Sequence, residues 1–283
     1  MSMISFDQAG RLSIMLTLLT WEGQLSNARL RSLFDLSSIR ASEWLRDFRE
    51  HHPLWLAWDA KTKSHVATAA FYREGPKSQA DSLSRYVVLV GLPVAQRHGK
   101  EQHILWAAYP DLYTPRPKFF SALLLAAQLG KQVDIEYRSL TSPQPHRRMI
   151  SPHSLVRAGR RWHVRAYCHM REEFRDFNLG RMSAAKLLQE SEVKAASQDD
   201  AAWNTFVQVR IGAHPLLTRE QADVIRFEHF DNAASLTQSC RVALISYFIQ
   251  DIKAAVDPAK QAPPDFQLAV ENLNEVKAWL FLK

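Results

Sequence analysis

The stretch from Tyr137 to Met182 constrains the fold most, because bulky and basic residues alternate there over several short runs. Arg160 to Tyr167 (RRWHVRAY) follows a turn at Ala158-Gly159. It alternates as a pleated strand with two different faces requires. Phe174 to Met182 alternates again, with Phe174, Asp176 and Asn178 on one side and Arg175, Phe177 and Leu179 on the other. Ile135 to Leu140 and Met149 to Val156 are two further short runs. Short strands at this spacing predict a small, strongly bent antiparallel sheet or barrel.

Charge singles out the same region. Residues 117–190 carry 13 Lys and Arg against 6 Asp and Glu, a net of +7. The whole chain is also +7, so the remainder is neutral. A small β-unit that holds the entire excess, much of it as Arg, is suited to an anion, since a guanidinium binds phosphate bidentately. Arg165 and Tyr167 lie two apart on one strand and share a face. Trp162 and Val164 lie on the other, where core packing is the default. Arg175 on the next strand, Tyr137 and Ser139 on the first, and His153 after Pro152 are expected to converge with them. The predicted result is a basic cleft for a nucleotide or oligonucleotide.

The N-terminal part reads as helices. Leu12, Met15, Leu16 and Leu19 recur at helical spacing within Asp7 to Trp21, and Gly23 ends that run. Ser26 is a good N-cap for a short helix through Leu30, Leu33 and Phe34. After a turn at Asp35 to Ser37, a third helix runs to about Glu50, stopped by Pro53. Its Ala41, Leu45 and Phe48 should face inward. Helix, short turn and helix is the helix-turn-helix pattern, which places the start of the last helix in a major groove. Leu54 to Trp58 and Val66 to Phe71 read as two strands joined by Asp59 to His65, a hairpin suited to be the wing. Ser38, Arg40, Ser42 and Arg46 are the candidate operator contacts, with Lys61 and Lys63 on the DNA backbone from the wing. Residues 1–60 carry six Arg and seven acids, so few phosphates are neutralised per subunit. A dimer on a palindromic duplex follows.

The residues also carry a resemblance. The central segment resembles a WYL domain, a small Sm/SH3-like β-barrel of bacterial transcription regulators. The frame R-x-I-x-P-x-x-L-V lies at Arg148 to Val156 and F-R-D-F-x-L-x-R at Phe174 to Arg181, while the naming triplet reads Trp162-His163-Val164. The pattern L-x-x-x-F-x-x-S…A-S-x-x-L appears as Leu30, Phe34, Ser37, Ala41, Ser42 and Leu45. Together these resemble the BrxR/CapW type of WYL regulator associated with phage-defence gene clusters. The resemblance implies a repressor whose WYL cleft is carried by Tyr137, Ser139, His153, Arg165 and Arg175, with Arg181 added. It also implies a C-terminal extension that dimerises.

The expected architecture is therefore a multidomain α+β chain. A winged helix-turn-helix occupies 1–90 and a linker 91–117, marked by Leu92-Pro93 and the Pro110 to Pro117 cluster. The WYL-like barrel and its preceding helix, Lys118 to Leu129, occupy 118–192. A small α+β extension spans 203–283. In the extension Thr205 to Ile211 alternates like a strand, Thr218 and Gln221 stand at capping-box spacing, and Val242, Ile245, Phe248 and Ile249 form an apolar stripe. Two cysteines, Cys168 and Cys240, exclude a disulfide framework and point to a reducing, cytoplasmic setting. The Cys and His spacings contain no zinc pattern, and no phosphate-loop or catalytic constellation appears, so no cofactor, metal, membrane contact or enzymatic activity is expected. The rival reading is an accessory protein that binds RNA or single strands through the basic barrel.

Overall fold

The computed structural model describes residues 7–75, 82–91 and 113–281. The chain divides into two compact units, Met1–Pro110 and Asp111–Lys283.

In the first unit, local chemistry sets the helix limits. Helix α1 (Gln8–Glu22) starts where Asp7 accepts from the Gly10 amide, and ends at Gly23 in the left-handed region. Ser26 and Ser37 cap α2 (Asn27–Phe34) and α3 (Ser38–His51) in the same way. Each such cap stabilises its helix by about 1 kcal/mol. Ala41, Trp44, Leu45 and Phe48 of α3 are buried against Met15, Leu18, Leu19 and Leu30. Glu22 fastens three helices together: it accepts from Arg29 at 2.6 Å and from the Tyr86 hydroxyl at 3.0 Å. Tyr86 belongs to α5 (Ser82–Val90); the sequence predicts a helix from Ser78 to Leu89 that completes this domain, and its start at Ser78 lies outside the described residues.

The wing is a three-stranded sheet in the order β1 (Gln24–Leu25), β3 (Ser64–Ala67), β2 (Leu56–Asp59). The second strand is shorter than the sequence predicts. Thr68 accepts from the Phe71 amide and starts a helix, α4 (Ala69–Glu74), so residues 69–71 are helical rather than extended.

In the second unit, α6 (Pro117–Leu129) covers a five-stranded antiparallel sheet. The strands are β4 (Gln132–Tyr137), β5 (His146–Ala158), β6 (Arg161–Cys168), β7 (Glu173–Asn178) and β8 (Met182–Leu188), in the order β7-β6-β5-β4-β8. Among the described residues the ladder does not close: β7 and β8 are its two edges, so the sheet is open and a closed barrel is not found. The bend has local causes. A register shift between Pro152 and Ser154 bulges β5. A 3-10 turn at Leu179–Arg181, capped by Asn178, breaks the run expected to continue as one strand from Phe174 to Met182. Leu123 and Ala126 of α6 pack with Val133, Ile135, Ile150, Val164, Ala166 and Phe177.

A second, four-stranded sheet follows, ordered β10-β9-β12-β11, from β9 (Phe206–Ala213), β10 (Ser235–Arg241), β11 (Ala254–Ala255) and β12 (Leu268–Val270). Short α7 (Ala201–Asn204) precedes it, and α8 (Arg219–Phe230), α9 (Ile245–Asp251) and α10 (Leu273–Val276) pack on it. Thr218 and Gln221 exchange the two hydrogen bonds of a capping box, as their spacing predicts. The stripe Val242, Ile245, Phe248, Ile249 is a 3-10 turn leading into α9, with Val242, Ile245 and Ile249 buried.

Candidate functional site

Two places carry chemistry, one in each unit. In the first, the N-terminal end of α3 is open to solvent. Ser38, Ile39, Arg40, Ser42 and Arg46 are all exposed. The Asn27 side-chain amide holds this end in place, donating to the Ser38 carbonyl at 2.8 Å and to Ser42 Oγ at 2.9 Å. Ser42 keeps its own proton for a further bond. Arg46 lies 3.9 Å from Glu50, one turn on. On the wing, Asp59 accepts from the Lys61 amide and the Thr62 hydroxyl, which fixes a tight turn with Lys63 in the left-handed region. Lys61 and Lys63 are exposed there. All six predicted DNA contacts thus lie on exposed surface. Asn27 and Ile39 were not singled out from sequence. Ile39, a large apolar side chain 74% exposed at the second position of α3, is a signal that burial patterning alone gives.

In the second unit, the predicted ligand residues do not share one cleft. Strand β6 is buried on both faces. Val164, Ala166 and Cys168 enter the α6 core. Arg165, on the other face, is 7% exposed and is consumed internally. It donates to both oxygens of Asp200, at 2.7 and 3.0 Å, and reaches Asp176 at 3.4 Å. His153 joins the same knot, 3.2 Å from Asp200, boxed in by Phe174 and Trp203. Burial works against the Arg165 charge, but the two carboxylates outweigh it and raise its pKa; in return Arg165 holds Asp200 below the usual carboxylate range. Burial pushes Asp176 up, and the Tyr247 hydroxyl donates to it at 3.1 Å.

The other expected residues go elsewhere. Arg175 pairs across the strands with Ala166, so it lies on the face opposite Arg165, exposed and bound to Glu173 at 2.6 Å. Tyr137 is a core residue whose hydroxyl accepts from the Asn178 amide. Ser139 closes the β4–β5 turn by accepting from the Ser142 amide. Tyr167 packs on Phe174 and His169, with the Lys194 ammonium over its ring. The cleft expected between Arg165 and Arg175 is not formed. Alternation correctly grouped Arg175 with Phe177; the cross-strand register then sets that side against Val164 and Ala166, and sets Asp176, not Arg175, beside Arg165.

The open basic site lies at the β5–β6 turn instead. Two adjoining hollows share Arg160 and Arg161. One, of about 370 Å³, is lined by Ala158, Gly159, Arg160, Arg161, His163, Tyr247, Gln250, Asp251 and Lys253. The other, of about 280 Å³, is lined by Tyr113, Arg160, Arg161, Asn178, Gly180 and Arg181. Of the predicted ligand residues, only Arg181 lines either. Gly159 has a positive φ, and a Cβ there would meet Asp251 at 3.0 Å, so the turn seats close against the end of α9. His163 packs against Tyr247 with ring centroids 4.9 Å apart and the rings tilted by 39°, and its buried Nδ1 has no hydrogen-bond partner among the described residues. Burial, then the positive charges of Arg161 and Arg181, push its pKa down to about 4. Its ring is therefore neutral at pH 7, with one nitrogen unsatisfied.

This has a pH consequence. A histidine whose folded pKa is lowered contributes stability above its unfolded pKa near 6.5, and loses it as pH falls toward 4. Between pH 7 and 4 the wild type should lose on the order of 3 kcal/mol through this group. The His163→Asn variant should show a correspondingly shallower loss in denaturant melts; equal slopes would remove His163 from the account.

A winged helix, a basic β-domain and an α+β tail define a multidomain DNA-binding regulator, and similarity to known proteins narrows that class. Residues 7–90 match the profile of the BrxR transcriptional regulator winged helix-turn-helix domain. Residues 118–187 match the WYL domain, and 206–276 the BrxR transcriptional regulator C-terminal dimerization domain. The DNA-binding transcriptional repressor CapW of Pseudomonas aeruginosa is 33% identical over 277 residues, covering 96% of this chain and 91% of that one. CapW of Escherichia coli is 31% identical over 282 residues, covering 97% and 92%. CapW of Stenotrophomonas maltophilia is 26% identical over 283 residues, covering 99% and 94%. The chain belongs to the CapW family of DNA-binding transcriptional repressors, which are regulators and not enzymes. Among the described residues no helix is long and apolar enough to cross a membrane, and no three His, Cys, Asp or Glu side chains gather as a metal site.

Proposed function

We propose that this chain is a homodimeric repressor of a phage-defence operon, working in the cytoplasm, that binds a palindromic duplex through α3 and releases it when an anionic ligand occupies the WYL domain. The division into 1–90, 118–192 and 203–283 belongs to this proposal. Arg40 reads a guanine edge, Ser38 and Ser42 make adaptable base or phosphate contacts, and Arg46, Lys61 and Lys63 hold the DNA backbone.

The observation that carries the sensing half is His163: buried, neutral and with a bare Nδ1 beside Arg161 and Arg181. The hollows around it fit a nucleotide or the end of a single strand, with guanidinium groups for phosphate and Tyr113 and Tyr247 for a base. Arg165 and His153 act as scaffold beneath this site. The wall opposite the β5–β6 turn is α9, within the segment that matches the dimerization profile. A ligand that draws Arg161 and Lys253 together shifts that wall, and with it the spacing of the two DNA-binding units. The test is fluorescence anisotropy on the palindrome upstream of the chain's own gene cluster. Retention of that duplex over a scrambled one supports the reading, and equal retention contradicts it.

A further inference from the structure

The dimerization segment has two sheet edges of very different kinds. The β11 edge is two buried alanines, Ala254–Ala255. The β10 edge is seven residues long and, among the described residues, hydrogen-bonded to β9 alone, in an unbroken register from Ser235 to Arg241. Four successive residues on it, Leu236 to Ser239, are exposed, so both of its faces are open. From Ser235 to Cys240 it has no charge, no proline and no bulge, the devices by which free edges are blunted. Leu236 pairs with the core residue Ile211 and so projects from the core side of the sheet, yet it is 41% exposed. The core is unfinished at this edge.

We propose that a second copy of this chain pairs along β10, antiparallel across a two-fold axis, joining the two four-stranded sheets into one of eight. The pairing is isologous, as a two-fold requires: the uncharged stretch from Ser235 to Cys240 meets itself with no like charges opposed, and each Leu236 gains cover from the partner's strand. This rests on the reading that the chain is a homodimer, and names the surface that makes it. Val224 and Phe227, also exposed, lie on α8 away from the buried Ala222 and Ile225. They serve as the comparison.

The experiment is sedimentation equilibrium on the full chain. Wild type should be a dimer. The Leu236→Lys, Gln238→Lys variant, altered only at exposed positions, should raise the dimer Kd at least ~10-fold. Phe227→Glu should leave it unchanged. Hydrogen exchange of wild type at high and low concentration should show β10 amides protected only in the dimer. A dimeric wild type with an equally tight lysine variant, or one dissociated by Phe227→Glu alone, overturns the proposal and leaves the homodimer reading standing. A monomeric wild type overturns both.

Discussion

Replacing Arg165 with Met is expected to destabilise the second unit by about 3–5 kcal/mol, the cost of leaving a buried charge without its partner. Asp200 is the charge in question. Its side chain is 2% exposed, and Arg165 supplies two of its hydrogen bonds. Without the guanidinium, only His153 and the Trp203 amide remain to it among the described residues. Asp176 also loses its cation and keeps the Tyr247 hydroxyl. The pH dependence carries the sign. In the variant, burial should raise the Asp200 pKa, so the damage should ease as pH falls into the carboxylate range. Adding Asp200→Leu should recover part of the loss, because apolar replacement of both partners removes the desolvation cost. Were Arg165 an open ligand contact, its removal would move stability by less than about 0.5 kcal/mol. Urea melts of Arg165→Met at pH 7 and pH 5 decide between the two.

Loss of the α3 contacts is the second large effect. Arg40→Ala with Ser42→Ala should weaken operator binding by about 1–3 kcal/mol per half-site, so by ~30-fold or more on a palindrome. The slope of log affinity against log salt should change little by comparison. Lys61→Ala with Lys63→Ala should do the reverse. It should weaken specific and scrambled duplex alike, and reduce the salt slope by about 3–4 for a dimer. Ile39→Ala should relax preference at one thymine, since the thymine methyl is the apolar feature of the major-groove edge. If the Arg40 and Ser42 substitutions left specific binding intact, α3 would not be the reading helix.

The helices were legible because their limits are local. Asp7, Ser26, Ser37 and Gly23 act within four residues of themselves, and so do Thr218 and Gln221. Thr68 is the same kind of cap, and reading Val66 to Phe71 by alternation alone missed it. The excess of positive charge in the WYL domain was legible from composition. Its distribution was not. The partner of Arg165 is 35 residues away at Asp200, in a segment with no strong pattern, and no periodicity reveals such a pairing. Bulging at Pro152 and the turn at Leu179–Arg181 decide which arginines face a hollow, and both interrupt the alternation used to place them. Alternation places Arg160 and Arg161 at the start of a strand, and Arg161 does open β6; what alternation does not show is that the turn at Gly159 leaves both side chains exposed beside a hollow.

In the proposed mechanism the signal enters at Arg161 and Arg181 and leaves at α3. The most direct measurement titrates the protein–operator complex with a panel of mononucleotides and short single strands, followed by anisotropy of the labelled duplex. Wild type should release the duplex with at least one member of the panel. Arg161→Ala, Arg181→Ala should hold the duplex and fail to release it, and Arg175→Ala should behave as wild type. Release that survives the double substitution, or that disappears with Arg175→Ala, would contradict the account.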